Sequence, residues 1–156
     1  MKRTFGLVSA GLAAALLAFP LKVIAQQTPD YNYVGIGGGD DGFVVNGKIS
    51  LDENLSIRPS VATDFDFNDS EDVSYLLPLT YDFNAVDAGN SLYPFFGTGI
   101  GGDLGDDSTL EFALTAGLDY RFADDWVANG SVNYLPFAEA DEVGFTVGVG
   151  YVFGSN

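Results

Sequence analysis

From Tyr31 onward the chain alternates apolar and polar residues with a period of two, the repeat of a β-strand, and no stretch beyond Gln26 keeps apolar residues at helical spacing. The alternation predicts eight strands, near residues 31–37, 43–51, 55–63, 73–83, 92–101, 109–122, 126–136 and 143–153. Between them lie turn formers such as Asp40-Asp41-Gly42, Asp52-Glu53-Asn54, Asn68-Asp69-Ser70 and Ala123-Asp124-Asp125, residues whose backbones or side chains accommodate tight bends. A strand of roughly 9–11 residues crosses a membrane when tilted. An even number of antiparallel strands closes into a barrel without a free edge. A soluble sandwich of four plus four strands has the same count, so the faces must decide.

The faces are unequal. In the sixth strand Leu110, Phe112, Leu114, Ala116, Leu118, Tyr120 and Phe122 share one side, and Glu111, Thr115, Gly117, Asp119 and Arg121 share the other. The second, third and eighth strands repeat this division. Three features point the apolar side at lipid. Tyr81, Phe83, Tyr120, Phe122, Trp126, Tyr151 and Phe153 gather at one rim once alternate strands are reversed, which is an interfacial aromatic girdle. Lys48, Arg58 and Arg121 all fall on the polar side. That side is also rich in glycine, which leaves room for long side chains in the narrow bore of eight strands. The expectation is an all-β, eight-stranded antiparallel transmembrane barrel. In the fifth strand this places Tyr93 and Phe95 inward. A soluble lipocalin-like barrel, apolar side inward, is the rival at the level of fold.

Residues 1–25 stand apart. Lys2 and Arg3 precede an apolar run from Phe5 to Phe19, and Val23-Ile24-Ala25 supplies small residues where a signal peptidase cuts. We expect a cleaved signal peptide over 1–25 and a barrel over 26–156. Three of the six basic residues leave with the signal, and all 22 acidic residues stay. Nucleic acid is excluded as a partner, since phosphate binding needs clustered cations. The chain has no cysteine and no histidine, which removes thiol catalysis, disulfides and any Ser-His-Asp site. The glycine runs lack the Lys-Ser/Thr and the helix of a nucleotide loop. An enzyme is not expected.

The last strand resembles the C-terminal assembly signal of bacterial outer-membrane proteins, with Thr146, Gly148, Tyr151 and Phe153 in the matching positions. Tyr33-Val34-Gly35-Ile36-Gly37 and Pro94-Phe95-Phe96-Gly97-Thr98-Gly99 look like strands of the small OmpA-like or porin-like barrels of Gram-negative bacteria, and the acidic, lysine-poor composition looks like their cyanobacterial members. The resemblance implies an outer-membrane location and recognition of the last strand by the barrel-assembly machinery. It implies both termini in the periplasm and contact with membrane lipid and lipopolysaccharide. A monomer is expected.

With the termini inside, the connections near 38–42, 64–72, 102–108 and 137–142 form an acidic outer rim. It could collect Ca²⁺ or Mg²⁺, or stand as a solvated, repulsive edge, which is the commoner use of acidic runs. No other cofactor is expected. Asp64, Asp66 and Asn68 match the first ligands of an EF-hand loop, but Asp69 replaces its glycine and Tyr75 its bidentate glutamate. Lys48 and Arg58 are equidistant from the Asp52-Glu53-Asn54 turn and should sit side by side. With Arg121 they can pair with Asp82, Glu111 and Asp119 in the lumen, as buried charges require. The reading is a structural envelope barrel with a side-chain-plugged lumen. The alternatives are a narrow channel for ions or small solutes, and a surface module that binds cations or adheres through the acidic rim.

Overall fold

The computed structural model describes residues 27–64, 73–105, 108–137 and 142–154. The expected signal peptide, Asp66, Asn68, Asp69 and much of the acidic rim lie outside these residues. Among the described residues nine strands follow in chain order: β1 (Asn32–Gly39), β2 (Gly42–Asp52), β3 (Leu55–Ile57), β4 (Ser60–Thr63), β5 (Val73–Asp82), β6 (Leu92–Leu104), β7 (Glu111–Ala123), β8 (Trp126–Leu135) and β9 (Glu142–Phe153). Every pairing is antiparallel, and β1 pairs with both β2 and β9, so the sheet closes on itself.

The wall has eight strand positions, because β3 and β4 share one: each pairs with β2 on one side and β5 on the other. The single strand expected over 55–63 is interrupted at Arg58-Pro59, since proline has no N–H for the ladder. The break is local. Arg58 N–H donates to the Pro78 carbonyl (3.0 Å) and Gly47 N–H to the Pro59 carbonyl (2.9 Å). The register is unchanged across it, with Ile49 opposite Ile57 and Asn46 opposite Ser60.

The sheet wears its apolar side outward. Ile36 is 60% exposed and Val147 57%, whereas Lys48 is 0% and Arg58 6% exposed. In water this inversion would be unstable; against hydrocarbon it is the required arrangement. Tyr81, Phe83, Tyr120, Phe122 and Trp126 are all exposed at the end of the wall that carries the first and last strand residues. Trp126 packs edge-on to Tyr151 (5.6 Å between centroids) and Tyr81 to Phe83 (5.2 Å). The opposite rim carries Phe43, Phe112 and Phe145 among its exposed large residues.

Inside, Tyr31, Tyr33, Tyr93, Val127 and Val152 form an apolar cluster at the end that holds the termini. Glycines on the lumen side let large neighbours fit. A Cβ on Gly117 would stand 2.2 Å from the Gly130 carbonyl oxygen and 2.5 Å from the Phe95 ring. Gly117→Ala is therefore expected to cost about 1–3 kcal/mol through overpacking, read as a lowered urea midpoint of the refolded barrel. Gly42 closes the Asp40-Asp41 turn at φ +93°, where a side chain would also meet the Thr63 carbonyl.

Candidate functional site

The lumen narrows around four charges supplied by separate parts of the wall. Lys48 points inward from β2, Arg58 from the break between β3 and β4, Asp82 from the end of β5 and Asp119 from β7. Lys48 Nζ lies 3.1 Å from Asp82 Oδ2. Arg58 Nη2 lies 3.1 Å from Asp82 Oδ1 and 2.9 Å from Asp119 Oδ2, and its Nη1 donates to Asp119 Oδ1 (3.1 Å). Arg58 thus spans from one wall to another, gripping Asp119 with two nitrogens in the fork geometry that suits a carboxylate.

Neutral groups complete the network. Ser56 donates its hydroxyl to Asp82 Oδ2, and Thr80 donates to Asp82 Oδ1 (2.9 Å) while accepting from Arg58 Nε (3.1 Å). Tyr31 donates to Asp119 Oδ2 (2.9 Å). Arg58 Nη1 donates to the Tyr33 hydroxyl (3.3 Å), and its guanidinium lies 3.6 Å from the Phe95 ring centroid. Lys48 Nζ donates to the Pro29 carbonyl and sits 3.8 Å above the Tyr31 ring. Two cations face two carboxylates, so the cluster is neutral. Every charge has more than one partner, the condition for burying ions in a narrow bore.

Two expected members stand elsewhere. Arg121 bonds the Asp124 carbonyl in the β7–β8 turn and lies 5.0 Å from the Tyr31 ring, just before the bulge between Arg121 and Ala123. Glu111 is eight residues from Asp119 along β7, about 26 Å at roughly 3.3 Å per residue, and lines the other mouth. The groups missed were Tyr31, Tyr33, Ser56, Thr80 and Phe95. Ser56 shares the inward parity of Arg58, and Thr80 that of Asp82, so alternation could have found both.

Above the cluster a cavity of about 30 Å³ is lined by Asn46, Asn129, Ser60, Ser131 and Thr146, with Asn46 Nδ2 donating to Asn129 Oδ1 (2.7 Å). A vestibule of about 70 Å³ follows at the mouth remote from the termini, where Asp40, Asp41, Asp103, Glu111 and Glu142 converge. Among the described residues no group of carboxylates is arranged to hold a metal ion. Asp64 has partners of its own, and the other two members of its motif lie outside the described residues.

Withdrawal from water, then the Asp40 carboxylate beside it, pushes the Asp41 carboxyl up from its ordinary value. An acid raised in this way favours the folded state only below its unfolded pKa, about 3.9, and that contribution fades as pH rises through the higher folded value. Asp41→Asn is accordingly expected to raise the urea midpoint at pH 7 and leave it unchanged at pH 3. An equal effect at both would count against repulsion at the mouth.

Thr146 and Gly148 face the lumen on β9, while Tyr151 and Phe153 are exposed at the girdle. β9 also makes the closing pairing with β1, from Asn32 opposite Phe153 to Gly39 opposite Thr146.

Residues 11–153 match the model of the outer membrane protein beta-barrel domain. The chain belongs to this outer-membrane β-barrel family. Its place is the outer membrane. Among solved structures the fold is similar to the N-terminal β-barrel domain of Pseudomonas aeruginosa OprF, with a TM-score of 0.61 and 19% identity over 81% of this chain and 100% of that one. It is similar to Ail, the attachment invasion locus protein of Yersinia pestis, with a TM-score of 0.58 and 16% identity over 80% of this chain and 99% of that one. A de novo designed transmembrane β-barrel gives a TM-score of 0.55 and 15% identity over 82% of this chain and 99% of the design. No curated protein matches the sequence. These relatives lend no support to the cyanobacterial likeness.

Proposed function

We propose that this outer-membrane barrel is a structural element of the envelope whose lumen is sealed by its own side chains. One observation carries the reading: Arg58, 6% exposed, is held across the bore by Asp82 on one wall and Asp119 on another. To pass an ion, the barrel must break charge-assisted bonds in a space with little water to replace them. The carboxylates of the remote mouth are read as a solvated rim that keeps neighbouring barrels apart, with divalent cations and lipopolysaccharide phosphates as its natural contacts. The last strand is read as the element that the barrel-assembly machinery takes up. No chemical step is assigned to the chain.

Planar-bilayer recording of the refolded protein tests the seal. Wild type is expected to give a closed baseline across voltages, and Arg58→Ala, which removes the bridge, discrete openings. Steady conductance from wild type would instead favour the narrow channel.

A further inference from the structure

The mouth at the termini is closed by chain that is not part of the wall. β1 begins at Asn32, and the five residues before it, Gln27–Tyr31, run beneath the lumen. Pro29 and Tyr31 are fully buried there. Tyr31 bonds Asp119 on β7, packs edge-on to Tyr93 on β6 (5.6 Å), and has Lys48 and Arg121 near its ring at 3.8 and 5.0 Å. Pro29 offers its carbonyl to Lys48, and the Gln27 carbonyl accepts from Ala85 N–H (3.3 Å) in the loop that joins β5 to β6. The segment therefore touches several sectors of the ring at once.

What holds it differs from what holds the wall. Each wall strand is fixed by a ladder of backbone bonds. The segment is held by side chains, and a backbone bond from Ala85 at its far end. It can leave without breaking one rung of the barrel. A fixed pivot stands at its base: Asn32 donates to the Gly154 carbonyl (2.9 Å) and accepts from Ser50 N–H (2.8 Å), which ties the start of β1 to both neighbouring strands.

We propose that Gln27–Tyr31 is a detachable stopper, which swings from the mouth about Asn32 and so admits water and small ions to the Lys48, Arg58, Asp82 and Asp119 cluster from the side of the termini. The inference rests on the sealed-lumen reading and names the part of the seal that moves. Local opening of this kind is expected where few backbone bonds hold a segment. The Tyr31 hydroxyl is its main latch, because it bonds the same Asp119 carboxylate oxygen that Arg58 grips from across the bore.

The absence of cysteine makes the test clean. Val152 faces the lumen in the same apolar cluster as Tyr31 and is 5% exposed. Val152→Cys in the full chain, refolded in liposomes, is treated with a water-soluble charged thiosulfonate, and its modification rate is measured. Adding Tyr31→Phe is expected to raise that rate about ten-fold, the lower end of what losing one hydrogen bond to a charged acceptor does to an opening equilibrium. Adding Tyr33→Phe removes the hydroxyl that faces Arg58 but leaves the segment latched, so the rate is expected to stay at the Val152→Cys value. Heat-modifiable gel mobility confirms that each variant is folded; if Tyr31→Phe is not, Pro29→Gly takes its place and is expected to accelerate modification in the same way. Equal rates in all variants would overturn the stopper, and equal acceleration by Tyr31→Phe and Tyr33→Phe would assign the effect to a loosened lumen instead. A conducting wild type in the bilayer experiment would sink the sealed-lumen reading alone, since the modification rates report the segment directly.

Discussion

Asp82→Ala is expected to destabilise the barrel by about 3–5 kcal/mol, because it strips the shared partner from two buried cations. Asp82 accepts from Lys48, Arg58, Ser56 and Thr80, and among the described residues no other side chain is placed to take over all four. Arg58 keeps Asp119, so the larger share of the cost falls on Lys48, which retains the Pro29 carbonyl and the Tyr31 ring but no carboxylate within bonding distance. Urea unfolding of the refolded protein in micelles measures the loss as a shifted midpoint at constant slope. The paired change Lys48→Met with Asp82→Leu removes the stranded cation as well. It is expected to recover most of the loss, since replacing a whole buried ion pair by apolar groups of similar size is often neutral. A cost below about 1 kcal/mol for Asp82→Ala alone would mean that the charges are solvated like a surface pair, and the seal would go with it.

That network was partly legible in the sequence. The parity of the strands put Lys48 and Arg58 on the inner side, and the three-residue turn between them set their register; Ile49 opposite Ile57 brings them together as expected. Parity says which way a side chain points and nothing of its height in the barrel. Arg121 has the same parity as Asp119 yet sits one inward position nearer the turn, where its guanidinium bonds the Asp124 carbonyl, and Glu111, also inward, lies at the opposite mouth. Height depends on the stagger between strands, which comes from pairings distant in sequence. The β3–β4 break had a local cause in Pro59, whose parity groups it with the apolar Leu55, Ile57 and Val61 of the same strand. Tyr31 was missed for a related reason. It continues the alternation of the first strand, so pattern alone assigns it to the wall, whereas its structure begins one residue before the ladder does. The alternation fixes membership of a face; tertiary pairing decides where the face ends.

Val147→Arg should cost about 2–4 kcal/mol in a lipid bilayer, the penalty for arginine near the midplane of a barrel's outer surface. Val147 is the sixth residue of the twelve in β9 and is 57% exposed, with Gly38 and Gly130 as its cross-strand neighbours. Neither neighbour offers a carboxylate. Val143→Arg on the same strand and the same face provides the comparison. It stands at the mouth beside Glu142, where the bilayer is thin in hydrocarbon and opposite charge is near, so its cost is expected to be about 0–1 kcal/mol. The depth dependence is the informative quantity. A soluble barrel would tolerate arginine equally well at two exposed valines, because water surrounds each. Refolding into vesicles followed by denaturant titration gives both values. If the two substitutions cost the same, within about 0.5 kcal/mol, the outward apolar face does not meet a graded hydrocarbon layer and the transmembrane placement of β9 is wrong.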